Sequence, residues 1–249
     1  MSSPALRHRQ KVLARQSGAA SASKAGHALS APAPDTQAGQ EYAVLLAVLH
    51  DQVRQLSDIA SHEARQPKKA EFADQYRAWI EGVIEADQPV QDEVLITNMI
   101  WAIDYGDFAY VLKLAGFATR HGLKMPERYN RDLACFVAEE IAELAAKTPG
   151  SVPHDILVRV QLLTADADMP DPAKAKLFKA LGRSWANQAE TFDASADNAP
   201  AGGAAAYFDQ ALTTFKRALA LDDKSGVKTD IKMIEKKQRD LEEAAAKKD

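Results

Sequence analysis

The chain has 249 residues, 46% hydrophobic and 27% charged, a balance that excludes disorder throughout and a fibrous repeat. Its one cysteine, Cys135, excludes an internal disulfide and a multi-thiolate zinc or iron–sulfur site. The net charge of −4 conceals a split: residues 1–24 carry five cations and no acid, residues 216–249 ten cations against eight acids, and the stretch between is left at −11.

An acidic body with a basic arm is the pattern of a chain whose tail meets nucleic acid or another polyanion, and equally of a solvated tail. No apolar run approaches the roughly 20 residues of a membrane span, and no apolar stretch of signal-peptide type follows the basic N-terminus. The expectation is a soluble, intracellular protein that touches no membrane.

Residues 16–40 are rich in Ser, Ala, Gly, Gln and Pro, which predicts a flexible basic arm over 1–40, with at most a short helix within 4–15. From Glu41 the pattern changes. Tyr42, Leu46, Leu49, Val53, Leu56 and Ala60 recur at alternating steps of four and three, predicting a long helix over 41–64 whose stripe packs in its own bundle or against another subunit. Pro67 and Pro89 stand where first-turn prolines open helices, so further helices are expected over 67–86 and from 89 to Tyr105. Asp107 is placed to cap a fourth, and Gly122 to stop it in the left-handed conformation.

Helices are expected next over 131–147, 153–164 and 172–190. A loop over 191–203 follows, then helices at 204–221 and 227–246. Ala211, Leu212, Phe215, Ala218 and Leu219 give the penultimate helix the small/large alternation of a tetratricopeptide-type hairpin. No period-two β-branched run appears. The expected fold is all-α: about nine helices as stacked hairpins, with a body over 41–190 and a C-terminal hairpin with a charged last helix over 191–249.

The chemistry-bearing motifs are few. There is no P-loop, no His-Glu-x-x-His, no Gly-x-Ser-x-Gly and no dinucleotide glycine fingerprint. Asp166, Asp168 and Asp171 lack the glycine and distal glutamate of a calcium loop and read as a capped turn. Glu139, Glu140 and Glu143 share one helix and read as a solvated face rather than a two-metal centre. Cys135, among Leu133, Phe136 and Val137, reads as a small core residue. One basic cluster interrupts the acidic body, with Arg120, His121, Lys124, Arg128 and Arg131 around a helix connection and Tyr129 beside them. It suits phosphate contact, or is a solvated loop.

Several segments, in order, carry a resemblance. They are Met1–His8; Gln91-Asp92-Glu93-Val94-Leu95 through Trp101-x-x-Asp104-x-Gly106-Asp107; Gly122-Leu123-x-Met125-Pro126; Leu162-Leu163-x-Ala165-x-Ala167-Asp168-Met169-Pro170-Asp171; and Ala175-Lys176-Leu177. Together they resemble the small terminase subunit of P-two-like tailed phages over roughly residues 1–235. The resemblance implies a DNA-packaging role in the host cytoplasm. Such a subunit recognises the packaging site on double-stranded viral DNA, assembles as a homo-oligomer and regulates a large subunit that holds the ATPase and nuclease. These proteins are often described as the endonuclease subunit, yet the residues here supply no catalytic centre, metal site or cofactor site. The family's long Lys/Arg/Pro-rich C-terminal tail has no counterpart before Asp249, so no contact is carried over from it.

No DNA-binding residue is carried over either; the choice rests on charge. It comprises Arg7, Arg9, Lys11, Arg15 and Lys24 on the arm, and Arg120, Lys124, Arg128 and Arg131 on the connection. Tyr42, Leu46, Leu49, Val53 and Leu56 are the candidate oligomerisation face. Two other readings stay open: a helical protein adaptor that binds no DNA, and a metal-dependent endonuclease built on the acidic clusters.

Overall fold

The computed structural model describes residues 3–21, 30–193 and 202–246. Among these, every regular element is an α-helix, eleven in all, and the fold is all-α. The chain divides into two compact units, Met1–Leu133 and Ala134–Asp249, rather than at 40/41 and 190/191. Two packing relations account for the difference: the first helix docks inside unit 1, and the helix ending at Glu190 packs against the one after it.

Unit 1 holds α1 (Pro4–Ser21), α2 (Gln37–Ser57), α3 (His62–Ala73), α4 (Arg77–Ala86), α5 (Glu93–Tyr105) and α6 (Phe108–His121). Its centre is α5, where every residue from Val94 to Ile103 is buried. A helix that is apolar around its whole circumference needs neighbours on several sides, and α2, α3 and α6 pack on it. Polar caps set the ends. Thr36 accepts from Gly39 N, Asp92 from Leu95 N and Asp107 from Tyr110 N. Gly106 and Gly122 close α5 and α6 at φ +83° and +67°, where a Cβ would be strained.

The expected helix over 41–64 is instead α2, which stops at Ser57, because Ser61 starts a new helix by accepting from Ala64 N. Pro67 therefore lies in the second turn of α3, not at a helix start. The expected helix over 67–86 breaks at Asp74–Tyr76, where Tyr76 turns fully inward and donates its hydroxyl to Gln52 Oε1 at 2.6 Å. Asp92, not Pro89, opens α5.

The N-terminal arm departs furthest from expectation. Residues 4–21 form an 18-residue helix packed on α4, not a flexible tail. Its buried side is narrow: Gln10, Leu13, Ala14 and Ser17. It comes so close to α4 that a Cβ on Gly82 would stand 2.3 Å from Lys11 O and 2.7 Å from Ala14 Cβ. Glycine there is a condition of the docking.

Unit 2 contains α7 (Leu133–Lys147, whose first residue closes unit 1), α8 (His154–Leu163), α9 (Asp171–Glu190), α10 (Gly203–Leu221) and α11 (Lys228–Ala246). Phe208, Ala211, Phe215 and Ala218 of α10 are buried with Ala186, Ala189, Val227 and Ile234. Small residues admit the aromatics: the Phe215 ring fills the place of a Gly182 side chain, 2.7 Å from where its Cβ would be. Residues 194–201 of the expected loop lie outside the described residues.

Candidate nucleic-acid interface

Charge on α1 is arranged against the body. Lys11 Nζ is 2.6 Å from Glu85 and 3.5 Å from Glu81, and Arg15 is bound by the same Glu85. Arg9 pairs with Glu41 at 3.7 Å, and Gln10 donates to that carboxylate at 3.1 Å. The hydrogen bond to Glu85 is the largest influence raising the Lys11 pKa. Hydrogen bonds from Lys11 and then Arg15 hold Glu85 below the usual carboxylate range. Lys11 and Arg15 close the α1–α4 seam and Arg9 reaches α2, so much of their charge is already answered. Arg7, with His8 and Lys11, lines a cleft of about 570 Å³ whose far wall carries Glu71, Asp74 and Glu81 as well as Arg77, a mixed lining unsuited to an anion. Lys24 lies outside the described residues.

The second cluster is built on the α6–α7 connection. Gln91 holds this loop at Lys124 through two hydrogen bonds, donating Nε2–H to Lys124 O at 2.9 Å and accepting Lys124 N–H on Oε1 at 2.9 Å. Asp87, itself left-handed at φ +49°, accepts from Arg120 at 2.6 Å and pairs with His121 Nε2 at 2.9 Å. The His121 contact is the main cause of its lowered pKa, with Arg120 second. Arg120 is thereby neutralised, while Arg131 is half-buried. Lys124 and Arg128 remain exposed and make no ion pair among the described residues. The Arg128 guanidinium lies over the Tyr129 ring, 5.2 Å from its centroid. Charge alone could not rank these residues, because Gln91 and Asp87 are distant in sequence and belong to no motif.

On α2, Tyr42, Leu49 and Leu56 are buried within unit 1, and Leu46 and Val53 are half-buried. Tyr42 packs on Trp79 with centroids 5.8 Å apart and accepts Glu93 N–H at 3.0 Å. The outward face instead carries Val44, 60% exposed, and Val48, 41% exposed.

The acidic clusters do not converge. Glu139 and Glu143 both accept from Lys176, at 2.9 and 3.0 Å. Asp166, Asp168 and Asp171 are exposed. Among the described residues, no group of three His, Cys, Asp or Glu side chains is arranged to hold a metal ion. Cys135 is buried, its thiol 3.7 Å from Glu139 Oε2. No helix among the described residues is long and apolar enough to cross a membrane.

A family model described as phage small terminase subunit matches residues 46–172. The chain is 33% identical to the "Terminase, endonuclease subunit" of Escherichia phage P2 over 239 residues, covering 95% of this chain and 85% of the relative. No solved structure matches it.

Proposed function

The chain belongs to the phage small terminase subunit family, with a role in packaging phage DNA, and from that premise we propose that it binds the packaging site on double-stranded viral DNA and directs a large terminase subunit. The family match carries this reading. The connection loop supports a DNA contact, since Lys124 and Arg128 are exposed and the backbone at Lys124 is held by two hydrogen bonds to Gln91. Preorganised cations lose less freedom on meeting phosphate.

Assembly is assigned to the outer face of α2, with a second copy of the chain as the occupant of the Val44–Val48 strip. Adjacent exposed valines on a polar helix favour burial against an equivalent strip. The large subunit is assigned to unit 2, where exposed Met233 lines a groove of about 580 Å³ together with His154, Arg183, Asn187 and Asp230, a mixed lining of the kind that polar and apolar side chains of a protein partner meet. The work is done in the host cytoplasm, where the phage genome is packaged.

The test is competition between packaging-site and scrambled duplexes, followed by fluorescence anisotropy at matched salt. Preferential retention of the packaging-site duplex is expected. Equal affinity for both would remove site recognition from this subunit, and no binding to either at low salt would leave the protein-adaptor reading.

A further inference from the structure

Helix α11 sorts its charges by face. On the side toward its own hairpin, Ile234 is buried and Ile231 is half-buried. The charged groups flanking that side are matched: Asp230 by Arg183 at 3.2 Å, Lys237 by Glu190, and Glu235, which also borders the cation strip, by Lys216 at 3.9 Å. Lys228, Lys232, Lys236 and Arg239 follow at steps of four, four and three, which places them along one outward strip of a 3.6-residue helix. All four are exposed, and none makes an ion pair among the described residues. Asp240 and Glu243 mark the C-terminal limit of the strip.

We propose that this strip is the main phosphate-contacting surface of the protein on duplex DNA. The proposal rests on the DNA-binding reading above and locates it. The decisive contrast is with α1. Arg9, Lys11 and Arg15 must leave Glu41, Glu81 and Glu85 before they can meet phosphate, whereas the α11 cations have no ion-pair partner among the described residues to give up. Binding gains from released counterions only where a cation newly neutralises a phosphate.

The dimensions suit the task. Eleven helical steps from Lys228 to Arg239 extend about 16 Å, and one DNA strand presents a phosphate about every 3.4 Å along its axis. The four cations therefore track about four or five phosphates of a strand. Packing on α10 fixes their spacing. The surroundings favour nucleic acid over an acidic protein: protein interfaces centre on apolar and aromatic groups, and the nearest exposed apolar side chain, Met233, stands at the edge of the strip. Phosphate contacts orient without reading sequence, so α11 supplies affinity and register and leaves base recognition elsewhere.

The test uses the full chain with Lys228, Lys232, Lys236 and Arg239 all replaced by Gln, beside a charge-preserving variant with the three lysines changed to Arg and Arg239→Lys. Circular dichroism checks that both remain helical. Binding to packaging-site and unrelated duplexes is measured over a salt series. The neutralised variant is expected to lose at least about tenfold for both duplexes at low salt, with the log–log salt slope shallower by about three to four. The charge-preserving variant is expected to bind like the wild type. If the wild type binds DNA and the neutralised variant matches its affinity and slope, the strip is not the contact, though the DNA reading stands. If the neutralised variant keeps DNA but no longer binds purified large subunit, the strip is a protein-docking face and the proposal is overturned. If the wild type binds neither duplex, the DNA reading falls and the proposal with it.

Discussion

Asp92→Asn isolates the cost of a buried carboxylate at the heart of unit 1. Asp92 is fully buried and faces no cation; its oxygens accept Leu95 N–H at 2.9 Å and Trp79 Nε1–H at 2.7 Å. Burial pushes its pKa from 3.8 to about 6, against the opposing pull of those hydrogen bonds. Between these values the folded state holds a proton that the unfolded chain has released. Stability from this group is therefore present below pH 4, falls as pH rises through the window, and is flat above about 6. A shift of about two units corresponds to roughly 3 kcal/mol.

The amide introduced by this substitution cannot titrate. It also leaves the indole N–H facing an amide, a pH-independent cost of about 1–3 kcal/mol, so the pH dependence of the difference is the quantity to read. Urea unfolding would be followed by tryptophan emission in a Trp185→Phe background, leaving Trp79 and Trp101 of unit 1 as reporters. Carboxylates with lowered pKa values, such as Glu85 and Asp87, lose stability as pH falls in both proteins and cancel. The wild type should lose about 2.5 kcal/mol relative to the variant between pH 4 and pH 7. A constant difference over that range would refute the assignment.

Three further outcomes are expected. Gly82→Ala should loosen α1 by about 1–3 kcal/mol, because the intruding Cβ meets backbone; amide exchange should rise over residues 4–21, and unchanged protection would mean that α1 does not need this close approach. Phe215→Ala should destabilise unit 2 by about 3–5 kcal/mol, read from faster amide exchange over α9 and α10. Glu41→Gln, Glu81→Gln and Glu85→Gln together should raise DNA affinity and steepen the salt slope by about two to three, by freeing Arg9, Lys11 and Arg15; an unchanged slope in anisotropy would show that those carboxylates do not hold the α1 cations away from DNA.

Helix termini were legible where a single side chain decides them. Asp107 and Gly122 act on their own backbone neighbours, so the ends of α6 could be read directly. The last five helices fell within a residue or two of expectation for the same reason, with prolines and glycines punctuating each. The docking of α1 was not legible. Its buried strip is made of Gln10, Leu13, Ala14 and Ser17, too polar and too small to stand out from a Ser/Ala-rich segment, and its fit depends on Gly82, about 70 positions away. The α2 stripe is visible in the sequence as apolar, but periodicity cannot tell a face that meets its own bundle from one that meets another subunit. The candidate interface shows the same limit. Cations are visible in sequence; whether Glu85 or Asp87 already answers them depends on the fold. That is why the unpaired strip on α11 emerges only from the structure.

Assembly of this subunit and its binding of packaging-site DNA are both read by light scattering coupled to size-exclusion chromatography. The full chain is run at low salt with and without the packaging-site duplex. A discrete oligomer whose mass rises by that of bound DNA is expected. A monomer whose elution and mass are indifferent to DNA would remove both assembly and DNA binding from this chain.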